Sequence, residues 1–195
     1  MSDTITMSDV TPAVLAFWFG GLDERSAETQ QPFWFKSTPE TDTDIRERFL
    51  EIHELAKQGK FDAEVKTPDD YLAIVIVLDQ FPRNIHRGTP DAFATDPLAL
   101  KWAKEAIAQG LDKQQQAPYR RMFLYLPFEH AENLDDQHEA VRLFGEMGDD
   151  ELTGFAVAHR DVIERFGRFP HRNAVLGRVS TPDEEEYLSQ PGAGW

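Results

Sequence analysis

Cysteine is absent from this 195-residue chain, which excludes disulfides, thiolate metal sites and cysteine nucleophiles at once. That absence fits a reducing compartment, and the expected location is the cytoplasm. Lysine disappears after Lys113, whereas arginine stands at 120, 121, 142, 160, 165, 168, 172 and 178. Arginine tolerates partial burial and grips carboxylates or phosphates with a planar fork, so structured, paired arginines and simple compositional drift both account for the bias. Long apolar runs are missing too. The most apolar stretch, Tyr71–Leu78, has eight residues, against roughly 18–20 for a bilayer crossing. The opening MSDTITMSDVTPA has neither the basic flank nor the apolar core of a signal peptide. No GxGxxG, Walker loop, GxSxG or HExxH occurs, so the common phosphate cradles, nucleophile elbows and zincin helices are excluded.

What is present is an acidic globular composition. Hydrophobic residues make up 41% and charged residues 28%, too apolar for a disordered chain. A formal net charge of −15 repels nucleic acid and anionic membranes, so neither is expected as a partner.

Threonine-proline pairs at 11–12, 38–39, 67–68, 89–90 and 181–182, with Asp96-Pro97, read as helix starts. The hydroxyl or carboxylate caps an orphan amide, and proline suits the first helical position. Gly20, Gly59, Gly88, Gly110 and Gly167 stand where helices should stop. Between these marks the spacing predicts an aromatic helix from Thr11 to Gly20 and an amphipathic helix over 42–58 bearing Ile45, Phe49, Ile52 and Leu55. A buried central helix is expected over 71–78, because no second strand is available to pair with its β-branched run. Further helices are expected over 97–109, 118–133 with a kink or break at Pro127, 135–147, 151–166 and from Thr181. The expectation is all-α, seven to nine helices with no sheet, in a single domain over 1–195 or two helical lobes sharing one core.

Three clusters carry candidate chemistry. Asp79, Gln80, Arg83 and Asn84 close the central helix, and Asp79 can pair with Arg83 one turn on only if the helix survives Pro82. Glu129 and Glu132 can share a helix face beside His130, the pattern of metal ligands or of acid–base partners. His159 lies in an apolar stripe, ahead of Arg165, Arg168, His171, Arg172, Asn173 and Arg178. These basic groups would repel one another, so acids elsewhere or a bound anion must balance them. Asp79, Glu129 and Glu132 are the obvious acids. Each cluster can also be read as a buried polar network.

The segments DQFPRNIHRGTPDAFATD, YLPFEHAENLDDQ and HRDVIERFGRFPHRNAVLGRVSTPDEEEYL, with VLAFWFG and LAIVIVLDQ, resemble the bacterial family known as domain of unknown function 924. The resemblance covers nearly the whole chain. It implies an all-α fold similar to tetratricopeptide-repeat proteins without their consensus, and no established activity, substrate or cofactor.

The leading functional expectation is a polar pocket for a small anionic molecule. Glu129, His130 and His159 would be its acid–base groups, and Asp79, Gln80, Arg83, Asn84, Arg168, Arg172, Asn173 and Arg178 its binding groups. Binding alone and binding with turnover are both open, and no metal ligand set is assigned. The alternative is a scaffold for a peptide or partner protein, anchored by exposed Trp18, Trp34 or Trp102. Self-association through the aromatic N-terminal helix is compatible with either.

Overall fold

A computed structural model describes residues 4–194. Among these residues the structure is all-α, without strands, in nine α-helices: α1 Met7–Phe19, α2 Pro39–Lys57, α3 Pro68–Val75, α4 Phe81–Ile85, α5 Asp96–Ala108, α6 Pro118–Glu129, α7 Leu134–Met147, α8 Asp150–Phe166 and α9 Pro182–Leu188. No described helix is long and apolar enough to cross a membrane. The chain divides into two compact units, with described residues 4–87 and 91–127 in unit 1 and 88–90 and 128–194 in unit 2.

Unit 1 is built around α3 and its continuation. Thr67 caps α3 with a full capping box to Asp70, and every residue of 71–78 is buried, as the apolar run requires. Helices α3 and α4 form one rod through a π turn, Ile76–Gln80. Proline at 82 is the chemical reason this turn needs help from outside. In the turn, the Phe81 amide reaches back to the Ile76 carbonyl. Pro82 has no amide to give, so the carbonyls of Val77 and Leu78 lose their usual helical donors. Both are satisfied from neighbouring elements: His53 Nδ1 stands 3.1 Å from the Val77 oxygen, and the Thr95 hydroxyl donates to Leu78 at 2.6 Å. The rod therefore continues past Pro82, where the sequence suggested an interruption.

Helix α1 starts earlier than Thr11. Thr6 forms a capping box with Asp9, and Pro12 lies inside the helix. The Thr11 hydroxyl instead donates to Asp70 at 2.6 Å. Gly20 ends the helix with φ 78°, a conformation that suits glycine. Around α1 the aromatics interlock. Trp18 packs edge-on against Phe33, Phe81 and Phe123 and stacks on Trp34, whose indole N–H donates to the Trp18 carbonyl at 2.9 Å. Trp18, Trp34 and Trp102 are 2%, 8% and 6% exposed, so they are core residues and not the exposed anchors that a scaffold would present. Their rings fill volume that no aliphatic side chain in the sequence could span.

Helix α6 is also unbroken. It runs through Pro127 to Glu129, because the proline falls in the last turn and displaces only one backbone bond. Its open carbonyl end is closed by Gln137, whose amide reaches Phe128 at 3.3 Å, Glu129 at 2.7 Å and Ala131 at 2.8 Å. In unit 2, α7 and α8 pack as neighbours, with Ala140, Leu143 and Phe144 buried on α7 and Ala156, Val162 and Ile163 on α8. Phe155 of α8 is 46% exposed.

Candidate functional site

Asp79, Gln80, Arg83 and Asn84 belong to unit 1, and their polar atoms are engaged there. Arg83 grips Asp96 at 2.8 and 3.0 Å and stands 3.7 Å from Asp79 one turn back. It also donates to the Ala92 carbonyl and lies over the Phe93 ring. Burial disfavours the Arg83 charge, but Asp96 and Asp79 outweigh it and hold the guanidinium protonated. Gln80 donates to Asp79. Asn84 donates to Ser37 at 2.9 Å and Asp42 at 2.8 Å, and Arg87 closes a two-pronged pair on Asp42 at 2.6 and 2.9 Å. That pair is the main reason the Asp42 carboxyl falls to about 2. In this cluster each charged group faces a group of opposite charge, which is the arrangement of a fold-closing network.

The other two clusters meet in unit 2. Glu132 takes Arg178 at 2.6 and 2.9 Å and the Phe169 amide at 2.7 Å. Burial would raise the Glu132 carboxyl, yet these bonds hold it below the ordinary range. Arg178 donates further to Asn173 and to the Phe169 carbonyl. Arg168 grips Glu184 at 2.6 and 2.8 Å, and Asn173 donates to Ser180 at 3.1 Å and Glu184 at 3.3 Å. So Arg168, Arg178 and Asn173 hold the 168–184 loop together. A shallow, open depression lined by Arg165, Phe166, Arg168, Thr181, Asp183 and Glu184 lies on this pair, and none of Glu129, His130 and His159 lines it.

The Arg168 pair gives a pH signature. Hydrogen bonds from Arg168 hold the Glu184 carboxyl at about 2, below its ordinary 4.5. A carboxyl depressed by folding stabilises above its unfolded value and loses that contribution as pH falls through the folded one. Glu184→Gln should therefore lower Tm at neutral pH, with the gap to wild type closing as pH falls from 4.5 toward about 2. Thermal melts across that window check this, and a gap independent of pH would refute it.

What remains is a group gathered around Phe169. His159 on α8 is 6% exposed, and its Nδ1 stands 2.9 Å from the Phe155 carbonyl and 3.1 Å from Glu129 Oε1. Its ring packs edge-on to Phe169 at 5.7 Å; His171 packs on the same ring at 5.6 Å, and the Arg172 guanidinium lies over it at 4.6 Å. Burial is the chief reason that the His159 imidazole is pushed down to about 3, and the positive field of His130, His171 and Arg172 adds to it. The Phe155 carbonyl opposes the shift without reversing it, so the imidazole is neutral at pH 7. A neutral ring shares its Nδ1 proton between these two oxygens, which places the lone pair on Nε2. Glu129 is 5% exposed and Arg172 7%, whereas His130 and His171 are half-buried. The C-terminal tail closes over His171: at Gly194, φ 86°, a β-carbon would stand 2.9 Å from the His171 Cβ.

Residues 14–192 match the model of a family described as bacterial protein of unknown function, DUF924. The chain belongs to that family. A solved structure, of a protein of unknown function called ATU0120 from Agrobacterium tumefaciens, is similar with TM-score 0.83 and 38% identity, over 94% of this chain and 98% of that one. No curated protein matches. DUF924 membership thus supplies a fold and no chemistry. Sequence reasoning had named Glu129, His130, His159 and Arg172 but missed Phe169, the ring that collects them. Its signal was present as the aromatic of Phe169-Pro170-His171-Arg172, a segment read for its charges alone.

Proposed function

We propose that the protein binds a small anionic molecule in unit 2, at the group around Phe169, with Arg172 and His171 as its contacts and His159 as its acid–base residue. The observation that carries this reading is His159 itself: a buried, neutral imidazole held through Nδ1 by Phe155 and Glu129 while three basic side chains bear on it. A purely structural histidine gains nothing from basic neighbours, whereas an anion arriving there would offset their field. Its charge would also raise the His159 imidazole toward the range where it exchanges a proton near neutral pH. Glu129 then has the role of orienting the ring, and His130 that of a half-buried group at the edge.

Thermal-shift screening with inorganic phosphate, phosphate monoesters and short carboxylates tests the reading. A bound anion should raise Tm by an amount that grows with its concentration, and His171→Ala should abolish that rise while leaving the unliganded Tm near wild type. If no anion shifts Tm, and His159→Gln destabilises the unliganded protein, the group is structural and the proposal fails.

A further inference from the structure

The π turn has a second product besides the continued rod. Because Pro82 leaves the Val77 carbonyl without its helical donor, His53 on α2 must present Nδ1–H to it. That bond decides the tautomer. His53 is 1% exposed, and a ring that donates Nδ1–H keeps its Nε2 lone pair for another partner. A histidine that gives Nδ1–H to a backbone carbonyl and offers Nε2 elsewhere is in the state in which histidines ligate metal ions.

Two further donors stand close to the His53 ring. Glu54 is the next residue on α2, and His86 is the C-cap of α4, its ring 5.6 Å from that of His53. Ligand atoms of His53, Glu54 and His86 lie within 4.8 Å of one another, the only such group of three among the described residues. All three residues lie in unit 1, and their carriers are firmly placed. Phe49 of α2 stacks on Phe81 of α4 at 4.5 Å, and Arg46 of α2 donates to the carbonyl of Ile85, next to His86. Glu54 and His86 are half-buried, so both can adjust from solvent while His53 stays fixed.

We infer that His53, Glu54 and His86 form a binding site for a divalent transition-metal ion, zinc first, with Nε2 of His53 as the buried ligand. Two neutral imidazoles and one carboxylate are a borderline-soft donor set that suits zinc, and three protein ligands leave a fourth position for water or a substrate oxygen. Donors on a tetrahedron of zinc–nitrogen bonds are about 3.3 Å apart, so the observed spread closes by side-chain rotation of Glu54 and His86. Calcium and magnesium, which prefer all-oxygen shells, are disfavoured. This site uses no residue of the group around Phe169, and its failure would leave that reading untouched.

The experiment is a zinc titration of the chelator-stripped full chain by calorimetry, with cobalt as a spectroscopic substitute for zinc. Wild type should take up one equivalent, gain Tm with added zinc, and show the intense visible bands of four-coordinate cobalt. His86→Ala and Glu54→Gln, both at half-buried positions that do not cap the π turn, should each weaken binding by about 10- to 100-fold or more. His138→Ala, at an exposed position on α7, serves as the control and should bind like wild type. Absence of a stoichiometric site in wild type, or equal affinity in wild type, His86→Ala and Glu54→Gln, would overturn the assignment.

Discussion

Arg83→Ala should destabilise the protein by about 3 kcal/mol, read from denaturant or thermal unfolding followed by circular dichroism. The magnitude follows from what is left behind. Asp79 is fully buried and the Asp96 side chain only 14% exposed, and Arg83 is the guanidinium that both face. Its removal leaves both carboxylates without that counter-charge, and takes a donor from the Ala92 carbonyl. Removing one side of such a pair costs more than the pair contributes, because the remaining charge keeps its desolvation penalty. Adding Asp79→Asn to the variant should recover part of the loss. A cost below about 1 kcal/mol, the value of an exposed pair, would mean that water already screens the group and that Arg83 is spare for a ligand.

Trp18→Ala is the second large effect, about 3–5 kcal/mol and a fall on the order of 10 °C in Tm for a chain of this size. Trp18 is 2% exposed and touches Phe33, Trp34, Phe81 and Phe123. No single neighbour can collapse into the space, because each ring is pinned by other rings: Phe81 by Phe49, and Trp34 by Tyr119 and Phe123. The backbone bond from the Trp34 indole to the Trp18 carbonyl does not depend on the Trp18 side chain. The loss should therefore be one of packing alone, and Trp18→Phe should restore more than half of it. Equal stability of Trp18→Ala and wild type would refute this view of the core.

Much of the fold was legible because its punctuation is local. Thr38, Thr67 and Thr181 cap helices as threonine before proline predicts, and Gly20 and Gly167 end them in left-handed conformations. Thr11-Pro12 misled for an equally local reason: Thr6 and Asp9 form a better cap one turn earlier, and an exposed proline in a helix costs only one backbone bond. The π turn was not legible. A change of hydrogen-bond register leaves no mark in a run where every position is apolar, and the residues that reveal it, His53 and Thr95, lie far away in sequence. The same holds for the ion pairs. Glu132 was a candidate partner for the basic segment, and it takes Arg178 across 46 positions. The pairing of Arg168 with Glu184 was not anticipated, and Glu184 also accepts the Thr181 amide in the cap of α9.

The π turn has one more consequence, concerning phase. A π turn holds about one residue more than an α turn, so the segment after it is rotated by about 100° relative to an uninterrupted helix of the same start. Phe81, Asn84 and His86 point where they do because of that offset. Asn84 reaches Asp42, Phe81 stacks on Phe49, and His86 comes beside His53, all toward α2. An ordinary α-helix through 76–80 would keep every one of these side chains and send them to other faces. The angular position of the motif is thus stored in the winding of a single backbone turn, and Pro82 is the residue that makes rewinding it to regular α-helix unrewarding.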